Sequence, residues 1–302
     1  MSNLGVDICG VHFNNPVIAA SGTFGFGQEY NKFYSLDTIG GISLKGTTPL
    51  ERPGNKANRI AETPMGMLNA VGLQNPGIDY VVEHYLPLLE NCGCRLIANI
   101  AGNTVEDYCI VAEKLRDTCI DMIEMNISCP NVKKGGVQFG TKPEAIFDIT
   151  SEVKRFSKQP LIVKLSPNVT DIKENAIAAQ EAGADALSLI NTLTGMAIDI
   201  KTRRPVLANV TGGLSGPCVK PVALRMVHDV YTVTKLPIIG MGGISSATDA
   251  IEFMMAGATA VMVGTANFTN PYACPEIIKG LEDYCRDNNI EKISDLTGSL
   301  IV

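Results

Sequence analysis

Eight short apolar runs punctuate this chain from one end to the other, and each is followed by small or polar residues and then by a segment of helical spacing. The runs are PVIAAS (16–21), GGISLKG (40–46), RLIANIAG (95–102), DMIEMNISC (121–129), PLIVKLSPN (160–168), DALSLINT (185–192), PIIGMGGI (237–244) and AVMVGTA (260–266). Strands that alternate with helices pair in parallel, and eight of them close a barrel. The expected architecture is therefore α/β: a (β/α)8 TIM barrel with long βα-loop insertions at its C-terminal face, forming a single domain over residues 1–302.

The helical segments carry their own punctuation. In TVEDYCIVAEKLRDT, Thr104 can cap while Glu106 and Asp107 favour the first turn. Similar starts occur at Thr170-Asp171 and at Ser245-Ser246. EAGAD (181–185) and MAGATAV (255–261) each place a glycine between a helix and the next strand, where a left-handed residue ends the helix at little cost. A doubly wound open sheet is the alternative, but it usually carries G-x-G-x-x-G after its first strand, and PVIAASGTFGFG does not match. Two connections, from Thr47 to about Pro76 and from Leu193 to about Pro221, are too long for simple turns and are rich in Gly, Pro and Asn. Both follow C-terminal ends of strands, the barrel face that builds active sites, so both read as binding loops or lids.

Composition excludes several classes of function. A formal charge of −6 and a pI of about 5.2 give no global positive field for nucleic acid or an acidic membrane surface, so an anionic ligand must be held by local groups. No apolar stretch approaches the roughly 20 residues of a membrane span, and MSNLGVDICG lacks the order of a signal peptide. The expectation is a soluble cytoplasmic protein. Nine cysteines scattered through apolar segments fit a reducing compartment. Cys92 and Cys94 have no matching second pair and no nearby histidine, which argues against zinc or an iron-sulfur cluster, and no metal site is expected. His12, His84 and His228 lie outside the Gly-rich and polar loops, which argues against histidine-based chemistry.

The ends of the eight runs supply the candidate site: Ser21, Lys45, Asn99, Asn126 with Cys129, Lys164, Asn191 with Thr192, Gly242 with Gly243, and Gly264 with Thr265. Strand ends meet solvent and turn polar in any protein, so a single Ser or Asn among them carries no weight. Lys45 and Lys164 are different, because each interrupts an apolar strand. A buried ammonium is unfavourable unless it meets an anion, so each implies a charged ligand or partner. MGG (241–243) and VGT (263–265) fall on the last two strands, where barrels often bind phosphate, and a helix starting near Ser245 would add its positive end. With the lysines, these glycines point to a flavin mononucleotide at the barrel mouth. A phosphorylated sugar would account for the phosphate site equally well. Cys129 ends a strand within NISCPN and precedes the Gly-rich VKKGGVQFG, a placement in which a thiolate could act as base or nucleophile. Packing of a strand-end cysteine beneath the loop is the plainer reading.

NISCPN, VKLSPNVTDI, INTLTGM, LANVTGGLSGP, IIGMGGI and VGTANF together resemble dihydroorotate dehydrogenases of class 1, and nearly the whole chain shares in the resemblance. The Lys133-Lys134-Gly135-Gly136 loop is closer to the NAD-linked B type than to the fumarate-using A type. The resemblance implies a definite activity and a definite set of contacts. The chain would oxidise (S)-dihydroorotate to orotate in de novo pyrimidine biosynthesis, with Cys129 as the general base removing the C5 proton while a hydride leaves C6 for N5 of FMN. FMN contacts would fall on Ser21, Lys45, Gly46, Asn99, Asn126, Lys164, Ile190, Gly216, Gly242, Gly243, Gly264 and Thr265. Substrate contacts would fall on Lys45, on Asn69, Ala70, Val71, Gly72 and Leu73, on Asn126, and on Asn191 and Thr192. Electrons would pass to a partner subunit carrying FAD and a 2Fe-2S cluster and then to NAD, in a heterotetramer of two catalytic and two electron-transfer chains. This chain has neither a dinucleotide fingerprint nor a four-cysteine cluster motif of its own. A flavoprotein acting on a pyrimidine without the carboxylate, and a colourless phosphosugar barrel, are the competing readings.

Overall fold

In the computed structural model, which describes residues 3–127 and 139–302, the eight apolar runs become the strands of one closed barrel. These are β1 (Val17–Ala19), β2 (Gly41–Ser43), β3 (Arg95–Ile100), β4 (Met122–Asn126), β5 (Leu161–Lys164), β6 (Ala186–Leu189), β7 (Ile238–Met241) and β8 (Ala260–Val263). Every strand pairs in parallel with its neighbours in the chain. The ring shuts where β8 meets β1 through Val261↔Val17, Met262↔Ile18 and Val263↔Ala19. Apart from Arg95 at the start of β3, every residue of these strands is buried. Covered on both faces, they read as unbroken apolar runs instead of alternating ones.

Helices α1 (Val105–Leu115), α2 (Pro143–Phe156), α3 (Ile172–Glu181), α4 (Lys220–Tyr231), α5 (Ala247–Met255) and α6 (Ala273–Asp287) cover the outside. Their inner stripes recur at helical spacing, as in Tyr108, Val111 and Leu115 of α1 or Ile146, Ile149 and Val153 of α2. The capping signals hold. Thr104 accepts from the Asp107 amide while Asp107 reaches back to Thr104, Asp171 accepts from the Lys173 amide, and Ser246 accepts from the Asp249 amide. The glycines after α3 and α5 also behave as expected: Gly183 has φ 91° and Gly257 has φ 123°. A Cβ on Gly257 would lie 2.2 Å from the Tyr231 ring, so this position needs glycine twice over.

An antiparallel hairpin, Val6–Ile8 with Val11–Phe13, closes the opposite, N-terminal end of the barrel. Phe13 is fully buried, Arg95 at the start of β3 donates to the His12 carbonyl at 2.6 Å, and Cys9 donates to the carbonyl of Asp185 just before β6. The two long connections are more ordered than their composition implies. The arm after β2 folds into a hairpin, Ile60–Thr63 with Gly66–Asn69, and the arm after β6 supplies Leu193–Met196 and Thr211–Ser215. All four pair into one antiparallel sheet, joined across the arms by Gly213↔Asn69, Leu214↔Leu68 and Ser215↔Met67. The sheet has its own small core of Ala61, Leu68, Ala70 and Leu207. Among the described residues, no helix is long and apolar enough to cross a membrane.

Candidate active site

Parallel strands bring all their C-terminal ends to one rim, and most of the candidate residues meet there. Ser21 opens the single turn Ser21–Phe24 after β1, and Lys45 and Gly46 follow β2. Asn99 lies within β3, while Asn126 and Lys164 are the last residues of β4 and β5. Ile190, Asn191 and Thr192 follow β6, Gly242 and Gly243 follow β7, and Gly264 and Thr265 follow β8. Cys129, with the Lys133-Lys134-Gly135-Gly136 loop, lies outside the described residues.

At the centre of the barrel interior stands a residue that attention to strand ends misses, Glu124 in the middle of β4. It is fully buried, and its carboxylate accepts from Ser43 Oγ of β2 at 2.9 Å, Asn99 Nδ2 of β3 at 2.5 Å and Ser188 Oγ of β6 at 2.8 Å. Lys164 Nζ of β5 lies 3.5 Å from the same carboxylate. Strand alternation puts Glu124 and Asn126 on the same face, and Asn126 is in register with Lys164. The burial of Lys164 is thus balanced by an internal carboxylate, and its ammonium alone does not call for an anionic ligand.

The same network fixes Asn99. Because Glu124 can only accept, the Asn99 amide nitrogen must face it, which decides the otherwise ambiguous amide orientation. Asn99 Oδ1 is then buried with no hydrogen-bond partner. A buried carbonyl oxygen left without a donor is unfavourable by about 1–3 kcal/mol, so this atom is poised for a ligand N–H or O–H. Lys45 and Asn99 also line one small internal cavity with Phe26, Leu44 and Thr47.

Around this centre the rim is tied by side chains. Asn191 Nδ2 donates to Asn126 Oδ1 at 3.1 Å, the Thr192 amide donates to Asn191 Oδ1 at 2.8 Å, and Thr265 Oγ1 donates to Ser215 Oγ at 2.8 Å. Gly216, Gly242 and Gly243 have φ of 108°, 127° and 82°. A Cβ on Gly243 would sit 2.9 Å from the Gly216 carbonyl oxygen, which places the turn after β7 against the β6 arm. Around Gly264 a Cβ would meet nothing nearer than Ala20 at 3.7 Å, leaving room there for a ligand to approach the backbone. Of the asparagine loop, Asn69 Nδ2 reaches the Gly213 carbonyl and Leu73 approaches Gly46. Ala70 and Val71 are hydrogen-bonded within their own arm, to Arg59 and Asn55, and Gly72 packs on the Asn55 side chain.

The N-terminal end of α5 is occupied in part by its own first turn. Asp249 Oδ2 accepts from the Ser245 amide at 2.9 Å, Ser245 Oγ at 3.0 Å and the Ser246 amide at 2.9 Å, while its Oδ1 binds Lys220 Nζ at 2.7 Å. Burial opposes ionisation of Asp249, but Lys220 and these donors outweigh it and hold the carboxyl below its usual range. A depressed folded-state pKa contributes stability that is complete above the unfolded value near about 4 and is lost as pH falls through the lower folded value. Asp249→Asn is therefore expected to lower stability at neutral pH by about 1 kcal/mol, the size of a typical cap. Thermal melts should show the variant and the parent converging as pH drops below about 4, and a gap that stays constant with pH would contradict this.

Comparison with known proteins places these features in a family context. A family profile described as dihydroorotate dehydrogenase matches residues 3–285. A relative from Alkaliphilus oremlandii (strain OhILAs) is 57% identical over 298 residues, covering 99% of this chain and 99% of the relative. One from Lachnoclostridium phytofermentans is 57% identical over 296 residues, 98% of this chain and 99% of the relative. One from Petrotoga mobilis is 54% identical over 293 residues, 97% and 98% of the two chains. All three carry the name dihydroorotate dehydrogenase B (NAD(+)), catalytic subunit.

Proposed function

Because the chain belongs to the dihydroorotate dehydrogenase family, we propose that it oxidises (S)-dihydroorotate to orotate in pyrimidine biosynthesis, with FMN held across the barrel mouth and Cys129 as the base. It is an oxidoreductase, and the observation that best supports the flavin reading is the fixed, unpartnered Asn99 Oδ1, with open space at the rim glycine Gly264 as a second support. Ser21, Lys45, Gly46, Asn99, Asn126, Lys164, Ile190, Gly216, Gly242, Gly243, Gly264 and Thr265 would hold the cofactor. Bound there, the flavin supplies a two-electron acceptor for the hydrogen that leaves C6.

The chain's own residues then have separate tasks. Cys129 takes the C5 proton as thiolate. Lys45 is a cation suited to the substrate carboxylate, and Asn126 and Asn191, each oriented by the other, suit the imide edge of the ring. Asn69 through Leu73 and Thr192 would complete the substrate cradle. Glu124 holds the Lys164 ammonium at 3.5 Å and takes the Asn99 amide nitrogen, leaving Asn99 Oδ1 for the cofactor. The relatives' names, a catalytic subunit linked to NAD(+), support a partner subunit for this chain too. We extend that to a complex of two catalytic and two electron-transfer chains, the latter carrying FAD and a 2Fe-2S cluster.

The test is anaerobic addition of dihydroorotate to the FMN-loaded chain while the absorbance of the oxidised flavin is followed. Rapid bleaching by dihydroorotate but not by dihydrouracil is the expected result. Equal bleaching by both would move the substrate to a pyrimidine without the carboxylate, and no bleaching by either would overturn the reading.

A further inference from the structure

Immediately before β3, at the closed end of the barrel and away from the rim, two thiols face each other across Gly93. Cys92 Sγ and Cys94 Sγ are 2.9 Å apart. The turn that holds them is pinned, with the Gly93 amide donating to Asp37 Oδ1 at 2.7 Å and the Cys92 amide donating to the Leu89 carbonyl at 2.9 Å. Cys92 is half-buried and Gly93 exposed, whereas Cys94 is buried. We propose that Cys92 and Cys94 form a redox-active dithiol, Cys92 attacking and Cys94 resolving, that closes to a disulfide by exchange with a small-molecule disulfide.

The chemistry follows from the asymmetry of the pair. Half-exposed Cys92 is the sulfur that ionises and buried Cys94 the one that keeps its proton, and with Cys94 as donor their contact brings the Cys92 thiol down to about 7, against the opposing effects of burial and of Asp37. Cys94 itself is pushed up, first by that same bond to Cys92 and then by burial. By contrast, burial pushes Cys9 and Cys109 up to about 11 and Cys274 to about 12, which keeps them as inert thiols. Cys92 thiolate attacks one sulfur of R–S–S–R, forming Cys92–S–S–R and expelling RS−. Once Cys92 is in the mixed disulfide it no longer holds the Cys94 proton, which passes to the released thiolate. Cys94 thiolate then attacks the Cys92 sulfur and expels the second RS−, so the dithiol loses two electrons and two thiols are released. The sulfurs, 2.9 Å apart, have only about 0.9 Å to close to reach bonding distance.

Hydroxyethyl disulfide, which is uncharged and so is not repelled by Asp37, is the probe to add to the reduced full chain, with peptide mass mapping as the readout. The wild type is expected to lose the mass of two hydrogen atoms across Cys92 and Cys94 and to regain it on reduction. Exposed Cys218 serves as the internal reference, accepting an adduct without closing. Cys94→Ser should instead keep a stable hydroxyethylthio adduct at Cys92, and Cys92→Ser should leave buried Cys94 unmodified. A persistent adduct at Cys92 in the wild type, or two free thiols after Cys218 has reacted, would overturn the proposal. Because Cys92 is half-buried, the Cys92→Ser arm remains readable even where a change at Cys94 impairs folding.

Discussion

Replacing Cys129 with alanine is expected to leave FMN bound and to lower dihydroorotate turnover by about 10² to 10⁴ at neutral pH, the usual contribution of a positioned general base. The proposed flavin contacts fall on other residues, so the visible spectrum and FMN affinity should stay near those of the parent. The loss should appear in the reductive half-reaction, measured by rapid mixing with dihydroorotate, because that is where the C5 proton must leave. Cys129→Ser should restore only part of it, since an alcohol is a far poorer source of anion than a thiol near pH 7. Flavin reduction at the parent rate in Cys129→Ala would remove this residue from the mechanism.

Glu124→Leu is expected to destabilise the barrel by about 3–5 kcal/mol, the range for removing one partner of a buried ion pair. The substitution strands three donors as well as the ammonium: Ser43, Asn99 and Ser188 all end on this carboxylate, as does Lys164. Against a typical total of about 5–15 kcal/mol, such a loss should shift the urea midpoint strongly. Glu124→Gln keeps an acceptor and should lie between. Adding Lys164→Met to Glu124→Leu should recover part of the loss, because no unpaired charge then remains, although Ser43, Asn99 and Ser188 still lack their acceptor. A Glu124→Leu chain within about 1 kcal/mol of the parent would show that the carboxylate is not what holds these strands together.

Glu124 also marks the limit of what the chain discloses by itself. All eight barrel strands fall within apolar runs visible in the sequence, because strands buried on both faces are mostly apolar. Lys45 and Lys164 stand out as charges inside such runs, yet Glu124 interrupts MIEMN in the same way and escapes a search confined to strand ends. Its presence, together with Lys164 one strand away, is the available signal that the lysine's counterion is internal. The arms after β2 and β6 are legible as functional by length and placement but not as a sheet. GMLN, LTGM and TGGLS are short and glycine-bearing, and their pairing joins residues 67 and 215, far apart in the chain. The capping of α5 by Asp249 is likewise hidden, since an acidic residue in a first turn gives no sign that it occupies the amides of Ser245 and Ser246.

Barrel enzymes are commonly treated as a fixed frame bearing loops that can be exchanged one at a time, each carrying its own share of specificity. The shared antiparallel sheet removes that modularity here. Gly66–Asn69 takes the hydrogen bonds of one edge from Ile60–Thr63 and those of the other from Thr211–Ser215, so replacing either arm with one that lacks a matching strand would leave an open sheet edge beside the mouth. A graft that preserves this sheet has to carry residues 47–76 and 193–221 together.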